Sequence, residues 1–186
     1  DEEYNSDIWD ALLLNRLTIS SRLNDVTFNI DDANPTGYYQ GWGLTSQDVV
    51  IPAFLSAYLG LDPSTMALDV MKAPVAPNWR VTYDGLTKIP SLKKTFKRFN
   101  LSHTYRSTMS TSYTTNLQYT EGENGLPTAV DNGDYSNYIS QRQYNTVSIT
   151  EQLSPLIGLD MTIKTASDNE PQIKVEITRD RNVSFG

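Results

Sequence analysis

The feature that most constrains this chain is the stretch 100–120, NLSHTYRSTMSTSYTTNLQYT, in which every even-numbered position is polar. Asn100, Ser102, Thr104, Arg106, Thr108, Ser110, Ser112, Thr114, Asn116, Gln118 and Thr120 make up one side. The odd positions carry Leu101, Tyr105, Met109, Tyr113, Leu117 and Tyr119, with His103, Ser107, Thr111 and Thr115 between them. Such a split requires a period of two, which is the period of a β-strand. In a chain with 38% hydrophobic residues, eleven polar residues in succession on one face arise by chance about 0.5% of the time. In extension the segment reaches roughly 70 Å, whereas strands of soluble domains run about five or six residues and a bilayer crossing takes about nine to eleven. The alternation therefore predicts one strand that crosses a membrane and continues beyond it.

Downstream, EGENGLPTAVDNGDYSN (121–137) has the Gly, Asn and Asp content of a long loop, and 138–153 is the candidate antiparallel return strand. Ser154-Pro155 predicts a tight turn. Ile157, Leu159, Met161 and Ile163 alternate with Gly158, Asp160, Thr162 and Lys164, a further strand. SDNEP (167–171) predicts another turn, and Ile173, Val175 and Ile177 against Lys174, Glu176 and Thr178 predict the last strand.

Upstream, residues 8–24 begin as an apolar run and continue with Leu17, Ile19 and Leu23 separated by polar residues, which we read as a strand from about Asn15 onward. Residues 25–44 hold turn chemistry. Thr45 followed by Asp48 is a capping-box pattern, and Val50, Phe54, Ala57 and Tyr58 then recur at helical spacing before Gly60. A helix over about 47–60 is expected, with Phe54 and Tyr58 mostly buried and Pro52 close to its first turn. Pro63, Pro74 and Pro77 leave little regular structure until 78, after which WRVTYDG (79–85) alternates as a strand. Leu92, Phe96 and Phe99, opposed by Lys93, Lys94, Lys97 and Arg98, predict a short basic helix. The organisation expected is thus a strand and loop region at 1–45, a helix-containing insertion with a short strand and a basic connecting helix at 46–99, and long antiparallel strands at 100–186. The fold class is all-β with minor helix, a segment of a very large antiparallel transmembrane β-barrel.

Several function classes are disfavoured. No apolar run approaches the roughly 18 to 20 residues of a membrane-spanning helix. A net charge of -7 repels a phosphate backbone, so nucleic acid is not an expected partner. Cysteine is absent and His103 is the one histidine, which leaves little for thiolate or imidazole chemistry; no cofactor and no enzymatic activity are expected. His103 reads as a wall residue of the long strand. Asp31-Asp32 and Asp131-Asn132-Gly133-Asp134 lack the run of oxygen ligands of a calcium loop and read as polar turns. The basic cluster Lys88, Lys93, Lys94, Lys97 and Arg98 suits either anionic lipid headgroups or a solvated connection. The first residues, Asp1-Glu2-Glu3-Tyr4, have no initiator Met and no leader, and the expectation is a piece of a longer protein.

The polar face of 100–120 is either the solvent side of a soluble sandwich or the lining of a hydrated lumen. Strand length favours the barrel, because an open sheet of such strands exposes long edges. On that reading Arg106, Thr108, Ser110, Ser112 and Thr114 line the lumen, while Tyr105, Met109, Tyr113 and Leu117 face lipid.

Five segments carry a family resemblance: SQDVVIPAFLSAY (46–58), PNWRVTYDGLTKIP (77–90), LSHTYRS (101–107), SPLIGLDMTIK (154–164) and RDRNVSF (179–185). Long and in order, they resemble the C-terminal part of the SprA (Sov) family, over about residues 40–186. These are the outer-membrane translocons of the type IX secretion system of Bacteroidota, the route linked to gliding motility. The resemblance implies an exceptionally large single-chain β-barrel that conducts folded cargo proteins bearing a C-terminal secretion domain. The partners it implies are the remainder of that barrel, a PorV-type barrel, a periplasmic plug protein, a peptidyl-prolyl isomerase-like subunit, the secreted cargo and outer-membrane lipid. At 186 residues the chain cannot close such a barrel by itself. Another outer-membrane β-protein, such as a TonB-dependent transporter, and a soluble β-rich surface-binding domain stay open as alternatives.

Overall fold

The computed structural model describes residues 7–27, 37–74, 76–123, 127–131, 136–166 and 169–185. Along them run α1 (Asp7–Thr27), α2 (Gln47–Leu59), β1 (Trp79–Tyr83), α3 (Pro90–Thr95), β2 (Phe96–Thr115), β3 (Arg142–Ile163) and β4 (Gln172–Phe185). One-turn 3-10 helices lie at Val70–Lys72 and Gly85–Lys88. Sheet predominates: the strands form an open four-stranded antiparallel sheet in the order β1-β2-β3-β4. The described residues divide into two compact units. The first takes those within Asp1–Pro74, Thr111–Val147 and Phe185–Gly186, the second those within Val75–Ser110 and Ser148–Ser184.

The first unit is built on α1 and α2. The strand expected from about Asn15 is instead part of the 21-residue helix α1. Its buried line is Leu12, Ile19 and Leu23 together with Ser20 and Asn24, so polar residues occupy part of the covered face and blur the apolar period. Asn15 Nδ2 donates to Ser56 Oγ (2.8 Å) and Ser20 Oγ to the Trp42 carbonyl (2.7 Å). Arg22 donates to the Pro63 and Met66 carbonyls, tying the loop after α2 to α1.

Helix α2 starts where expected but is not held by a capping box. Its N-cap is Ser46, whose side chain makes no cap bond. Thr45 Oγ1 accepts from Asn137 Nδ2, and the Asp48 carboxylate accepts from Ser140 Oγ, so both polar groups serve tertiary contacts. Pro52 lies inside the helix and leaves the Asp48 carbonyl without its i+4 donor. The helix is buried nearly all round, from Val49 and Ile51 to Ser56. Phe54 is buried, stacking on Phe185 and Tyr58, whereas Tyr58 is only half-buried. Gly60, at φ +65°, ends the helix: Leu61 N donates to the Ser56 carbonyl and Gly60 N to that of Ala57, a left-handed closure that glycine adopts freely.

The second unit is sheet. β1 pairs antiparallel with β2, setting Trp79 opposite Tyr105, Val81 opposite His103 and Tyr83 opposite Leu101. Trp79 stacks on Tyr105 with centroids 4.2 Å apart. The basic helix expected up to Phe99 stops at Thr95; Phe96, Lys97, Arg98 and Phe99 open β2. The 20-residue β2 starts earlier than expected and ends at Thr115, so 116–120 are not strand. Asn116 turns instead, its Oδ1 accepting from Gln118 N.

β3 corrects a second expectation. Ser154-Pro155 makes no turn; one 22-residue strand passes through this cis peptide, joining what read as two strands. Proline has no N–H for the ladder, so a Pro inside a paired strand belongs at a bulge. Ser110 Oγ meets Ser148 Oγ (2.8 Å), and farther along Ser102 Oγ meets the Gly158 carbonyl (3.5 Å). Between these contacts β2 advances eight residues and β3 ten, so β3 carries the surplus around Pro155. There the Leu156 carbonyl accepts from His103 Nδ1–H at 2.7 Å. A Cβ at Gly158 would lie 2.4 Å from Ser102 Oγ and 2.8 Å from Pro155 Cγ, which reserves the position for glycine. A smaller bulge precedes it. Tyr144 and Val147 are both buried, with Asn145 and Thr146 exposed between them, where strict alternation allows a single exposed residue.

Candidate functional site: the two faces of the sheet

Side chains directly opposite one another in an antiparallel pair share a face. In the second unit the even positions of β1 and β2 share theirs with Ser148, Gly158 and Asp160 of β3: Ser110 meets Ser148, Ser102 meets Gly158, and Arg98 pairs with Asp160 at 3.1 Å. A hollow of about 660 Å³ lies here, lined by Arg80, Thr104, Arg106, Gln152, Ser154 and Glu176 of this face and also by Trp79, Tyr105 and Pro155. Arg106, Thr108, Ser110, Ser112 and Thr114, the expected lumen residues, all lie on β2 and are all exposed.

The odd positions make the other face. Tyr105 Oη donates to Glu151 Oε1 at 2.6 Å, and Arg181 Nε donates to Glu151 Oε2 at 2.7 Å, which aligns the odd sides of β2, β3 and β4. On this face Trp79, Val81, Tyr83, Ile157, Ile173, Val175 and Ile177 are each 41–55% exposed. They form an uncovered apolar surface on a unit that has no helix longer than the six residues of α3 among its described residues.

The four residues expected to face lipid part company. Tyr105 is only 8% exposed, enclosed by Trp79 and its bond to Glu151, and Met109 is half-buried. Tyr113 belongs to the first unit, where its ring meets Tyr144 edge-on at 5.8 Å and lies under the Arg142 guanidinium. Leu117, 96% exposed, sits beyond the end of β2 and not on the strand. The bare apolar surface instead centres on β1, the start of β2 and β4. The residues that sequence reasoning missed are those bounding it, Glu151, Arg179 and Arg181, whose signal was the change from Ile173, Val175 and Ile177 to arginine two and four positions further along one face of β4.

In the first unit the start of β3 is covered at Tyr144 and Val147, while Tyr113 and Thr115 on the odd side of β2 stay exposed. Gln47 of α2 exchanges two bonds with the Tyr144 backbone, 2.8 and 2.9 Å, and Thr111 Oγ1 donates to Met71 Sδ. Beneath lies a cavity of about 360 Å³ with Asp48, Asp69, Ser140 and Arg142 in its wall. Burial pushes the Asp48 carboxyl above its usual range against the opposing pull of the Ser140 hydrogen bond, and Asp69 adds to the rise. Asp69 is itself held by Lys72 at 3.8 Å and Arg142 at 3.6 Å.

The basic cluster is dispersed: Lys97 pairs with Glu170 at 2.8 Å and Arg98 with Asp160, while Lys88, Lys93 and Lys94 are exposed. The described residues contain no group of three or more metal-ligating side chains, and no helix among them is long and apolar enough to cross a membrane. Asp31, Asp32 and 132–134 lie outside the described residues, and Asp131 Oδ1 accepts from Asn137 N. No family model matches the chain, and no curated protein is significantly similar to it.

Proposed function

We propose that this chain is a wall segment of an outer-membrane protein-conducting channel, the type IX secretion translocon, and that its role is to contain cargo and not to transform it. The observation that carries the membrane half of this reading is the uncovered apolar face of the second unit, backed by a polar face over a hollow. In water such a surface calls for a covering layer, whereas against acyl chains it is the outer side of a barrel wall. The strand lengths, 20, 22 and 14 residues for β2, β3 and β4, each exceed the roughly nine to eleven needed for a crossing.

The charges give this face two borders. Glu170, paired with Lys97, lies at one end of β4, and Arg179 follows nine residues later. Nine residues span roughly 30 Å along the strand, and a tilt of about 40° reduces this to roughly 23 Å, close to the apolar band of about 25 Å of outer-membrane barrels. The translocon half of the reading rests on the resemblance of the five segments to the SprA family. In that setting Arg106, Thr108, Ser110, Ser112 and Thr114 present cargo with a wall of mostly neutral hydroxyls, which offers no apolar patch to hold it.

The membrane half is tested by fractionation. The chain is expected in the outer-membrane fraction and to need detergent for extraction, and a monodisperse chain in detergent-free buffer overturns it. The translocon half is tested by deleting the gene for the parent protein: folded cargo is expected to accumulate in the periplasm, and normal surface display of cargo overturns it.

A further inference from the structure

Resting on that reading, we infer that the border of the apolar face at Arg179 and Arg181 is a binding site for the phosphate of an anionic membrane lipid. Three observations converge there. First, Tyr105, Glu151, Leu153, Arg179 and Arg181 enclose a small hollow of about 160 Å³ on the apolar side of the sheet. Second, its charges do not cancel. The Glu151 carboxylate is engaged by Arg181 and by the Tyr105 hydroxyl, whereas Arg179 makes no ion pair among the described residues, leaving one positive charge beside the hollow. Third, the site is where a headgroup would lie. Ile173, Val175 and Ile177 lead up to it along the same face of β4, and the stacked pair Trp79 and Tyr105 stands beside it as an interfacial aromatic anchor.

An arginine at the edge of a lipid-facing band is best satisfied by a phosphate, because the planar guanidinium presents paired N–H donors to two phosphate oxygens. Glu151 orients Arg181 through its Nε and Nη2, so that arginine is fixed before any lipid arrives. Acyl chains of the same lipid would then lie along Val175 and Ile177. Charge and position together select a lipid, since a soluble anion would gain nothing from the apolar residues that lead to the site.

The test is native mass spectrometry of the whole chain in a neutral detergent, titrated with phosphatidylglycerol or with phosphatidylcholine of the same acyl chains, with inorganic phosphate as a competitor. The expected result is preferential retention of phosphatidylglycerol, reduced about tenfold by Arg179→Gln, the loss of one charge-assisted bond, and undisturbed by phosphate. Lys174→Gln, on the opposite face, should leave retention unchanged. Equal retention of the two lipids, insensitivity to Arg179→Gln, or full competition by phosphate overturns the site while the membrane reading stands. A chain that takes up neither detergent nor lipid overturns both.

Discussion

The two units make the same strands into different objects. In the first, α1 packs on α2, the start of β3 is covered at Tyr144 and Val147, and Ile19, Val49 and Leu55 are fully buried in an ordinary water-excluding core. In the second, the corresponding side carries Trp79, Val81, Tyr83, Ile173, Val175 and Ile177 with nothing over them among the described residues. One unit satisfies the hydrophobic effect internally and the other leaves it to the surroundings. The folding free energy of the first is therefore intrinsic to the chain, while that of the second depends on its solvent.

The largest expected effect is inside the first unit. Leu55→Ala empties a fully buried position and should cost about 2 to 5 kcal/mol, whereas Val175→Ala in the second should leave stability in detergent nearly unchanged. Denaturant unfolding of both variants in micelles checks this, and a matching loss at Val175 would erase the distinction between the units. Next comes a charge on the bare face. Val175→Lys should cost about 2 to 4 kcal/mol at mid-membrane and lower the outer-membrane level of the parent protein, while Thr178→Lys on the polar face should be tolerated. Comparable assembly of the two would show that the faces have been assigned the wrong way round.

A third prediction concerns Asp48. Its carboxyl is raised above the usual 3.8 by burial, so the folded state holds its proton longer than the unfolded state. The contribution of this group to stability should be fully present below about pH 3.8 and be lost as pH rises through the raised value. Asp48→Asn, which keeps an acceptor for Ser140, should remove this decline and leave the first unit more stable at neutral pH. An unchanged pH profile in equilibrium unfolding would contradict it. The smallest effect is at the exposed pair Lys97 and Glu170, where Lys97→Ala should change stability by at most about 1 kcal/mol. A larger loss in the same unfolding assay would mean that this border is more than a solvated ion pair.

The strands of the second unit were legible because a sheet with two chemically distinct faces prints its period directly onto the sequence, as at 100–110 and 173–178. Helix α2 was legible from the helical spacing of Val50, Phe54, Ala57 and Tyr58 and from the glycine that closes it. Helix α1 was not, because Asn15 and Ser20 make tertiary hydrogen bonds beside the buried Leu12, Ile19 and Leu23 while Trp9 and Leu14 are exposed, which blurs the amphipathic pattern. Continuity through Pro155 was hidden for another reason. Proline signals an interruption, and whether it turns the chain or merely bulges it depends on partners far away in sequence, such as His103 for Leu156 and Ser102 for Gly158. Within the odd positions of 100–120, Tyr113 and Leu117 could not be separated from Tyr105 without knowing which residues pack near Tyr113 and where β2 stops.

The order of the strands has a further consequence. β1 pairs with only five of the 20 residues of β2, while β4 has β3 as its single neighbour along 14 residues. Each edge leaves backbone donors and acceptors without a strand partner among the described residues, which on the proposed membrane reading further strands would have to meet. The molecule is therefore bivalent. The β4 edge is one uninterrupted template that a single incoming strand can zip along, whereas the opposite edge is stepped, changing from β1 to β2 partway, and has to be met in two pieces. On the proposed reading, assembly onto these edges would be directional, and a neighbour that fits one would not substitute at the other.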